Sequence, residues 1–267
     1  MTNWAEIDRL AKSWLKEAGE RIISSFSTAL DIQTKSDAND LVTNIDRDIE
    51  QFFIGKIRES LPGHRILGEE GFGDELKDLA GIVWIIDPID GTMNFIHQQR
   101  NFMISIGVYE DGQGKLGYIY DVVHDELYHA QAGKGAYLGD DKLPRLEKTK
   151  PETALIGMNS TWLTSNRYMD PSETLIPLAN KVRGTRSYGS AALELAYVAT
   201  GALDAYITMR LSPWDFAGGK VIVEELGGIV TNLKGEPLDM MGTNSVLAAK
   251  PGLHEAIIKD FLNKGEK

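Results

Sequence analysis

The chain has 267 residues, enough for one large or two smaller domains and for a sizeable buried core. Its 42% hydrophobic and 25% charged content excludes a disordered or collagen-like chain. The net charge of −11 argues against a nucleic acid or an anionic membrane as partner, and the lack of cysteine excludes disulfides, thiolate catalysis and cysteine-ligated metals.

The N-terminal segment predicts a long amphipathic helix. Asn3 and Glu6 form a capping pair, and Ile7, Leu10, Trp14, Ala18 and Ile22 recur at helical spacing. Charged residues interrupt this segment, so it lacks the apolar stretch of a signal peptide. A polar stretch from Gln33 to Asp40 follows. A second helix is expected from Asp46 to Leu61, with Ile49, Phe52, Phe53 and Ile57 on one side and Pro62-Gly63 as its stop.

Strands are expected at His64–Leu67, Ile82–Ile86, Met103–Tyr109, Leu116–Val123 and Leu127–Gln131. Asp111-Gly112-Gln113-Gly114 and His124-Asp125-Glu126 are turn signals between them, which makes an antiparallel meander. The run Ile82–Ile86 is too short to span a bilayer. Together with the absence of cysteine, this leads us to expect a soluble, cytoplasmic protein.

Lys142–Pro151 is polar, carries two prolines and marks a boundary. Beyond it, strands are expected at Ala154–Met158, Leu203–Met209 and Ser245–Ala249. Helices are expected at Pro171–Val182, Ser190–Ala199, Phe216–Leu226 and Leu253–Leu262. The pattern is an α+β chain of two halves, about 1–145 and 151–267, within a single domain covering 1–267.

Three acidic clusters stand out: Gly68-Glu69-Glu70-Gly71, Asp87-Pro88-Ile89-Asp90-Gly91-Thr92 and Trp214-Asp215. Taken alone, Asp215 reads as a helix cap and Glu69-Glu70 as a solvated loop. The second cluster is different, because it follows a strand too apolar to be a surface edge and so projects carboxylates into a cleft. Pro88 stiffens the turn, and Gly91 permits tight backbone geometry. Hard oxygen ligands suit Mg²⁺ or Mn²⁺. An acidic pocket repels phosphate by itself, whereas one holding divalent cations attracts it and clamps the attacking and leaving oxygens.

On these motifs the chain resembles the inositol monophosphatase family of Mg²⁺-dependent, lithium-sensitive phosphatases. The matching stretches are Asp40 through Asp46, Gly68-Glu69-Glu70, Trp84 through Phe95, Gly189-Ser190-Ala191-Ala192, Trp214 through Gly219, and Glu225-Leu226-Gly227-Gly228, in order over nearly the whole chain. The resemblance implies a layered α-β-α-β-α sandwich of the sugar phosphatase type, with a mostly antiparallel first sheet and a mixed second sheet, and commonly a homodimer. It implies hydrolysis of small phosphate monoesters by a metal-activated water, with two or three Mg²⁺ per site, at the seam of the two halves. Glu69, Asp87 and the Ile89 carbonyl would bind one ion, Asp87, Asp90 and Asp215 a second, and Glu69 with Glu70 nearby a weaker third. Asp46 and Thr92 match the pair that orients and activates the water. The Gly91 and Thr92 amides would meet the phosphate, and Lys35 matches a basic residue of a mobile loop. For Asp46, a helix cap is the alternative reading.

Family members best known for inositol carry Glu seven residues before the Trp-Asp aspartate, where this chain has Thr208, with Arg210 two residues on. Thr and Arg offer donors where a carboxylate accepts. The expectation is therefore a broad phosphatase, with Arg186, Ser190 and Ala191 lining the same pocket as Thr208 and Arg210. Fructose-1,6-bisphosphatase or NADP phosphatase activity as the main role, and a non-catalytic regulatory role, are the alternatives. A phosphatase with an Asp-x-Asp nucleophile motif is disfavoured, because Pro88 stands where its aspartate would be.

Overall fold

The computed structural model describes residues 2–27, 30–34, 41–164 and 167–263. The opening helix α1 (Trp4–Ser25) starts at Asn3, whose side chain accepts from the Glu6 N–H. It buries Ile7, Ala11, Trp14, Ala18 and Ile22, the stripe expected from the sequence. Two short strands, β1 (Ile32–Thr34) and β2 (Leu41–Thr43), pair antiparallel and lead into α2 (Asn44–Ser60). Thr43 and Asp46 form a capping box at the start of α2.

A seven-stranded sheet follows, built from β3 (Arg65–Gly68), β4 (Ile82–Asp90), β5 (Met103–Glu110), β6 (Gln113–Asp121), β7 (Glu126–Gln131), β8 (Gly135–Leu138) and β9 (Asp141–Lys142), in that spatial order. Only the β3–β4 pair in it is parallel. A short helix α3 (Thr92–Gln98) joins β4 to β5. The sequence gives no periodic signal for α3, β8 or β9, which are too short to display one.

The second half holds β10 (Leu155–Gly157), α4 (Leu175–Lys181), β11 (Gly184–Arg186), α5 (Ala191–Thr200), β12 (Ala205–Leu211), α6 (Pro213–Glu225), β13 (Ile229–Thr231), β14 (Asn244–Ala249) and α7 (Leu253–Ile257). Its five strands run in the order β11-β10-β12-β14-β13, with parallel pairing around β10 and antiparallel pairing around β14. Helix α4 is shorter than the expected Pro171–Val182, because Pro171 through Thr174 turn without entering the helix.

Strand alternation sorts the core into three clusters. Trp84, Ile86, Ile104, Ile106, Tyr118 and Tyr120 pack against α1 and α2. Val83, Ile85, Met103 and Ile119 face the other way, onto α5 and α6, which also cover Tyr206, Val246 and Ala248 of the five-stranded sheet. The outer face of that sheet, with Ala205, Ile207, Met209 and Leu247, packs on α4 and α7. The layers are therefore α-β-α-β-α, with α5 and α6 between the sheets. No helix among the described residues is long and apolar enough to cross a membrane.

The middle layer approaches the seven-stranded sheet closely through glycine. A Cβ on Gly218 would stand 2.6 Å from the Tyr118 carbonyl oxygen, and one on Gly117 would stand 2.4 Å from the Gly218 carbonyl oxygen. By contrast, a Cβ at Gly55, on the exposed side of α2, would meet nothing within 4 Å. Gly218→Ala is expected to destabilise the fold by about 1–3 kcal/mol through overpacking. Gly55→Ala is expected to stabilise it by about 0.4–1 kcal/mol. Urea unfolding of both variants checks the opposite signs.

Candidate active site

Strict alternation along β4 would put Asp87 and Ile89 on one face and Asp90 on the other. The pairing of β4 with β5 shifts register between Asp87 and Asp90, and this irregularity accommodates Pro88. Ile89 packs in the cluster on the α1–α2 side, while Asp87 and Asp90 both turn toward the middle layer. There they meet Asp215 from the first turn of α6. Carboxylate oxygens of Asp87, Asp90 and Asp215 lie within 4.8 Å of one another, a set able to hold a metal ion. Asp87 and Asp90 are buried.

Each carboxylate also has fixed partners. Asp87 Oδ1 accepts the Ile89 N–H at 3.0 Å. Asp90 accepts from the Ser190 hydroxyl, from the Ala191 N–H at 3.2 Å and from the Ala192 N–H at 2.9 Å. Asp90 thus ties β4 to the start of α5, and it is a strand residue, where the sequence reading ends the strand at Ile86. Asp215 Oδ2 accepts the Ser212 N–H at 2.7 Å and caps α6.

Burial raises the Asp87 carboxyl well above the ordinary range, and the charges of Glu69, Asp90 and Asp215 add to that. Burial also raises Asp90, against the opposing pull of the Ser190 hydroxyl and the Ala192 N–H. Glu69 lies on the loop after β3, and its charge acts on Asp87. Glu70 is not one of the three clustered carboxylates. That loop is held by Glu50, a fully buried residue of α2 whose two oxygens accept the Glu70 N–H at 2.7 Å and the Phe72 N–H at 2.9 Å. Sequence reasoning missed Glu50. Its available signal was the position four residues after Asp46, on the same side of α2.

Asp46 is buried, and its two oxygens are used differently. Oδ2 accepts from the Thr43 N–H at 2.9 Å and the Thr43 hydroxyl at 2.5 Å, while Oδ1 lies 3.2 Å from the Thr92 hydroxyl. The capping role and the Thr92 pairing therefore coexist. Burial raises Asp46 to about 6, with the Thr43 hydrogen bonds opposing it. The Thr92 hydroxyl lies equally near the Ile89 carbonyl, at 3.2 Å. Gly91 has φ +93°, and a Cβ there would stand 3.1 Å from Ser190 Cβ, so glycine lets β4 turn tightly beside α5.

Beside the cluster lies a cavity of about 240 Å³, whose walls include Asp90, Ser190, Ala191, Glu194, Thr208 and Asp215. Arg186 and Arg210 are not brought to it. Arg186 is exposed at the end of edge strand β11 and donates to the Thr185 carbonyl, while its neighbour Ser187 faces the cavity. In β12 the pairing shifts register between Thr208 and Leu211. Thr208 and Leu211 therefore both face inward, and Arg210 is turned out into a separate cavity of about 880 Å³ with Arg167 and Lys234. Lys35 lies outside the described residues. Glu194, buried on α5, is a second residue that the sequence reading passed over.

A family model described as the inositol monophosphatase family matches residues 3–266. The inositol-1-monophosphatase of Bacillus subtilis (strain 168) is 60% identical over 263 residues, covering 98% of this chain and 99% of that one. The fold is similar to a crystal structure of inositol monophosphate-bound SaIMPase-II, with TM-score 0.86, 44% identity, and 96% and 93% of the two chains covered. It is also similar to an IMPase/NADP phosphatase crystallised with Mg²⁺ and phosphate, with TM-score 0.90, 30% identity, and 99% and 98% covered.

Like charges held this closely oppose folding until a cation joins them. Asp87→Asn is expected to raise the melting temperature in a chelator and to abolish the further rise expected of the unsubstituted protein on adding Mg²⁺. Thermal unfolding with and without Mg²⁺ reads both effects. A carboxyl whose folded pKa is raised binds more protons in the native state than in the unfolded chain. Through Asp46, the metal-free fold is therefore expected to lose stability as pH rises from about 4 to about 6. Urea unfolding in a chelator at several pH values across that window measures the slope.

Proposed function

The chain belongs to the inositol monophosphatase family and is a phosphatase of small phosphate monoesters, and we propose that its hydrolysis runs at the cluster of Asp87, Asp90 and Asp215. The observation that carries this reading is the 4.8 Å grouping of those carboxylates beside a cavity, with the Thr92–Asp46 pair adjoining it in sequence and hydrogen bonding. Asp87, Asp90 and Asp215, with Glu69 and the Ile89 carbonyl, would hold the metal, and Glu70 would act only nearby. Magnesium, two or three ions per site, is our assignment. The all-oxygen donor set supports it, as does the Mg²⁺ and phosphate in the similar IMPase/NADP phosphatase. When bound, the cations lower the pKa of a water and offset the charge of the phosphate.

The chain's own residues orient the reaction. Thr92 is a weak base by itself, since its hydroxyl has no tendency to take a proton at neutral pH. Its proton directed onto Asp46 Oδ1 leaves an Oγ lone pair to accept from the attacking water. Asp46 Oδ2, held by Thr43, keeps the carboxylate from rotating away from Thr92. As the water bonds to phosphorus in line, its proton passes by way of Thr92 to Asp46, the ester P–O bond breaks, and the departing oxygen takes a proton from solvent water, while the Gly91 and Thr92 amides contact the phosphate oxygens. The alcohol portion sits in the cavity against Ser190, Ala191 and Thr208.

The positions of Arg186 and Arg210 bear on the substrate. Neither adjoins the cavity, and no Arg or Lys among the described residues lines it, which favours a monophosphate of a polyol. The chain acts as one catalytic unit whose halves, about 1–145 and 151–267, meet at the site. This is supported by Asp90 of the first half bonding to α5 of the second. Homodimer assembly, which rests on the resemblance, and a cytoplasmic setting, which rests on the lack of cysteine, belong to the same proposal.

Phosphate release from a panel of phosphomonoesters, with Mg²⁺ and with a chelator, tests the reading; turnover undiminished by the chelator would overturn it. Thr92→Val keeps the shape and removes the hydroxyl. It is expected to lower kcat by about 10²–10⁴-fold with little change in KM. Initial-rate kinetics across substrate concentration separates the two parameters.

A further inference from the structure

Glu194 stands in the first turn of α5 and is 3% exposed. Its Oε1 accepts the Tyr188 N–H at 2.9 Å. Its Oε2 has no hydrogen-bond partner among the described residues. That oxygen is seated against Gly157 of β10, where a Cβ would stand 2.1 Å from it, so any larger residue there would take its space. Glu194 lines the same cavity as Asp90, Ser190, Tyr206 and Thr208, yet lies outside the Asp87–Asp90–Asp215 cluster.

A buried carboxylate oxygen without a donor is costly, because it has left water and gained nothing in exchange. Burial accordingly pushes the Glu194 carboxyl up to about 7, although backbone N–H groups at Tyr188 and Gly189 favour its charged form. Nothing among the described residues supplies the missing donor. Glu194 lines the cavity, and a shift of its side chain toward that space would bring Oε2 to a donor held there.

We propose that Glu194 is a specificity-determining residue of the phosphatase reaction, with Oε2 accepting a hydrogen bond from a hydroxyl of the substrate's alcohol portion, so that the cavity selects phosphate monoesters of polyols. The proposal rests on the reading of this cavity as the seat of the alcohol. The wall chemistry agrees with it. Tyr206 and Thr208 present hydroxyls, Asp90 and Asp215 belong to the metal cluster, and Glu194 is the carboxylate left to accept. A site built to bond a hydroxyl discriminates strongly against an analogue that lacks it, since its own polar group is then stranded.

The test compares kcat/KM for inositol 1-phosphate with that for p-nitrophenyl phosphate, whose leaving group carries no further hydroxyl, at saturating Mg²⁺. The variants are Glu194→Gln and Gly157→Ala. The first retains an acceptor for the Tyr188 N–H and can place an amide donor where Oε2 accepts. The second leaves Glu194 intact and displaces its oxygen. In both, the ratio of inositol 1-phosphate to p-nitrophenyl phosphate is expected to fall about tenfold, mainly through a higher KM for inositol 1-phosphate. Equal losses on both substrates with a lowered melting temperature would make Glu194 a support for the Tyr188 loop only, and overturn the proposal. An unchanged ratio in both variants would mean that water satisfies Oε2, and overturns it as well. Absence of turnover on either substrate in the unsubstituted protein overturns the phosphatase reading, and this proposal with it.

Discussion

Three carboxylates that repel one another are held within 4.8 Å in the interior, and the surrounding structure supplies the means of holding them. Asp87 and Asp90 come from a strand that is buried along its length, so they cannot swing out into water. Asp90 is bonded by the first amides of α5, and Asp215 belongs to the first turn of α6. Both helices thus direct their N-terminal ends, which carry partial positive charge, at the acidic group. The helix ends offset part of the repulsion, and the remainder is left for a cation to relieve. An acidic site of this kind is a latent affinity for metal, stored in the packing of the middle layer.

Much of this was legible in the sequence because periodicity is a property of long elements. The Trp14 stripe of α1, the Phe53 side of α2 and the meander of β5 to β7 each repeat often enough to be read. Two irregularities were not legible. The shift in β4 lets residues three apart share a face, and the shift in β12 separates Thr208 from Arg210, two residues apart. Both depend on which strand lies alongside, and that information sits far away in the chain. Composition also misled in one respect. Acidic residues are by default read as solvated. Glu50 and Glu194 are buried because backbone N–H groups of distant loops require acceptors, a demand that no local pattern records.

The helix cap at Asp46 does not compete with its pairing to Thr92, and Asp215 repeats the pattern. A carboxylate has two oxygens with about four acceptor directions, and a helix cap uses only some of them. In Asp46, Oδ2 serves Thr43 while Oδ1 faces Thr92. In Asp215, Oδ2 serves the Ser212 N–H while the carboxylate still joins the cluster. The cap gives a functional group what a flexible side chain lacks, a fixed direction. Residues that act on a substrate gain from being anchored through a second function, because orientation within a fraction of an ångström governs their effect.

The spacing of the acidic group is finally a matter of how near α6 can come to the seven-stranded sheet. Asp215 is carried by α6, whereas Asp87 and Asp90 are carried by the sheet, so the distance between helix and strands sets the distance between carboxylates. Ordinary side chains keep a helix and a sheet about 10 Å apart. Here Gly117 and Gly218 remove the intervening atoms, and the Tyr109 hydroxyl donates to the Ala217 carbonyl at 3.0 Å, so the contact is made partly by backbone. One turn further toward the N-terminus of the same helix, Ser105 donates to the Trp214 carbonyl at 3.3 Å, pinning the residue next to Asp215. A bulkier residue at Gly218 would push the helix off the sheet and carry Asp215 away from its partners, even though Gly218 touches neither. Gly218, three residues after Asp215, is therefore part of the site's geometry through packing alone.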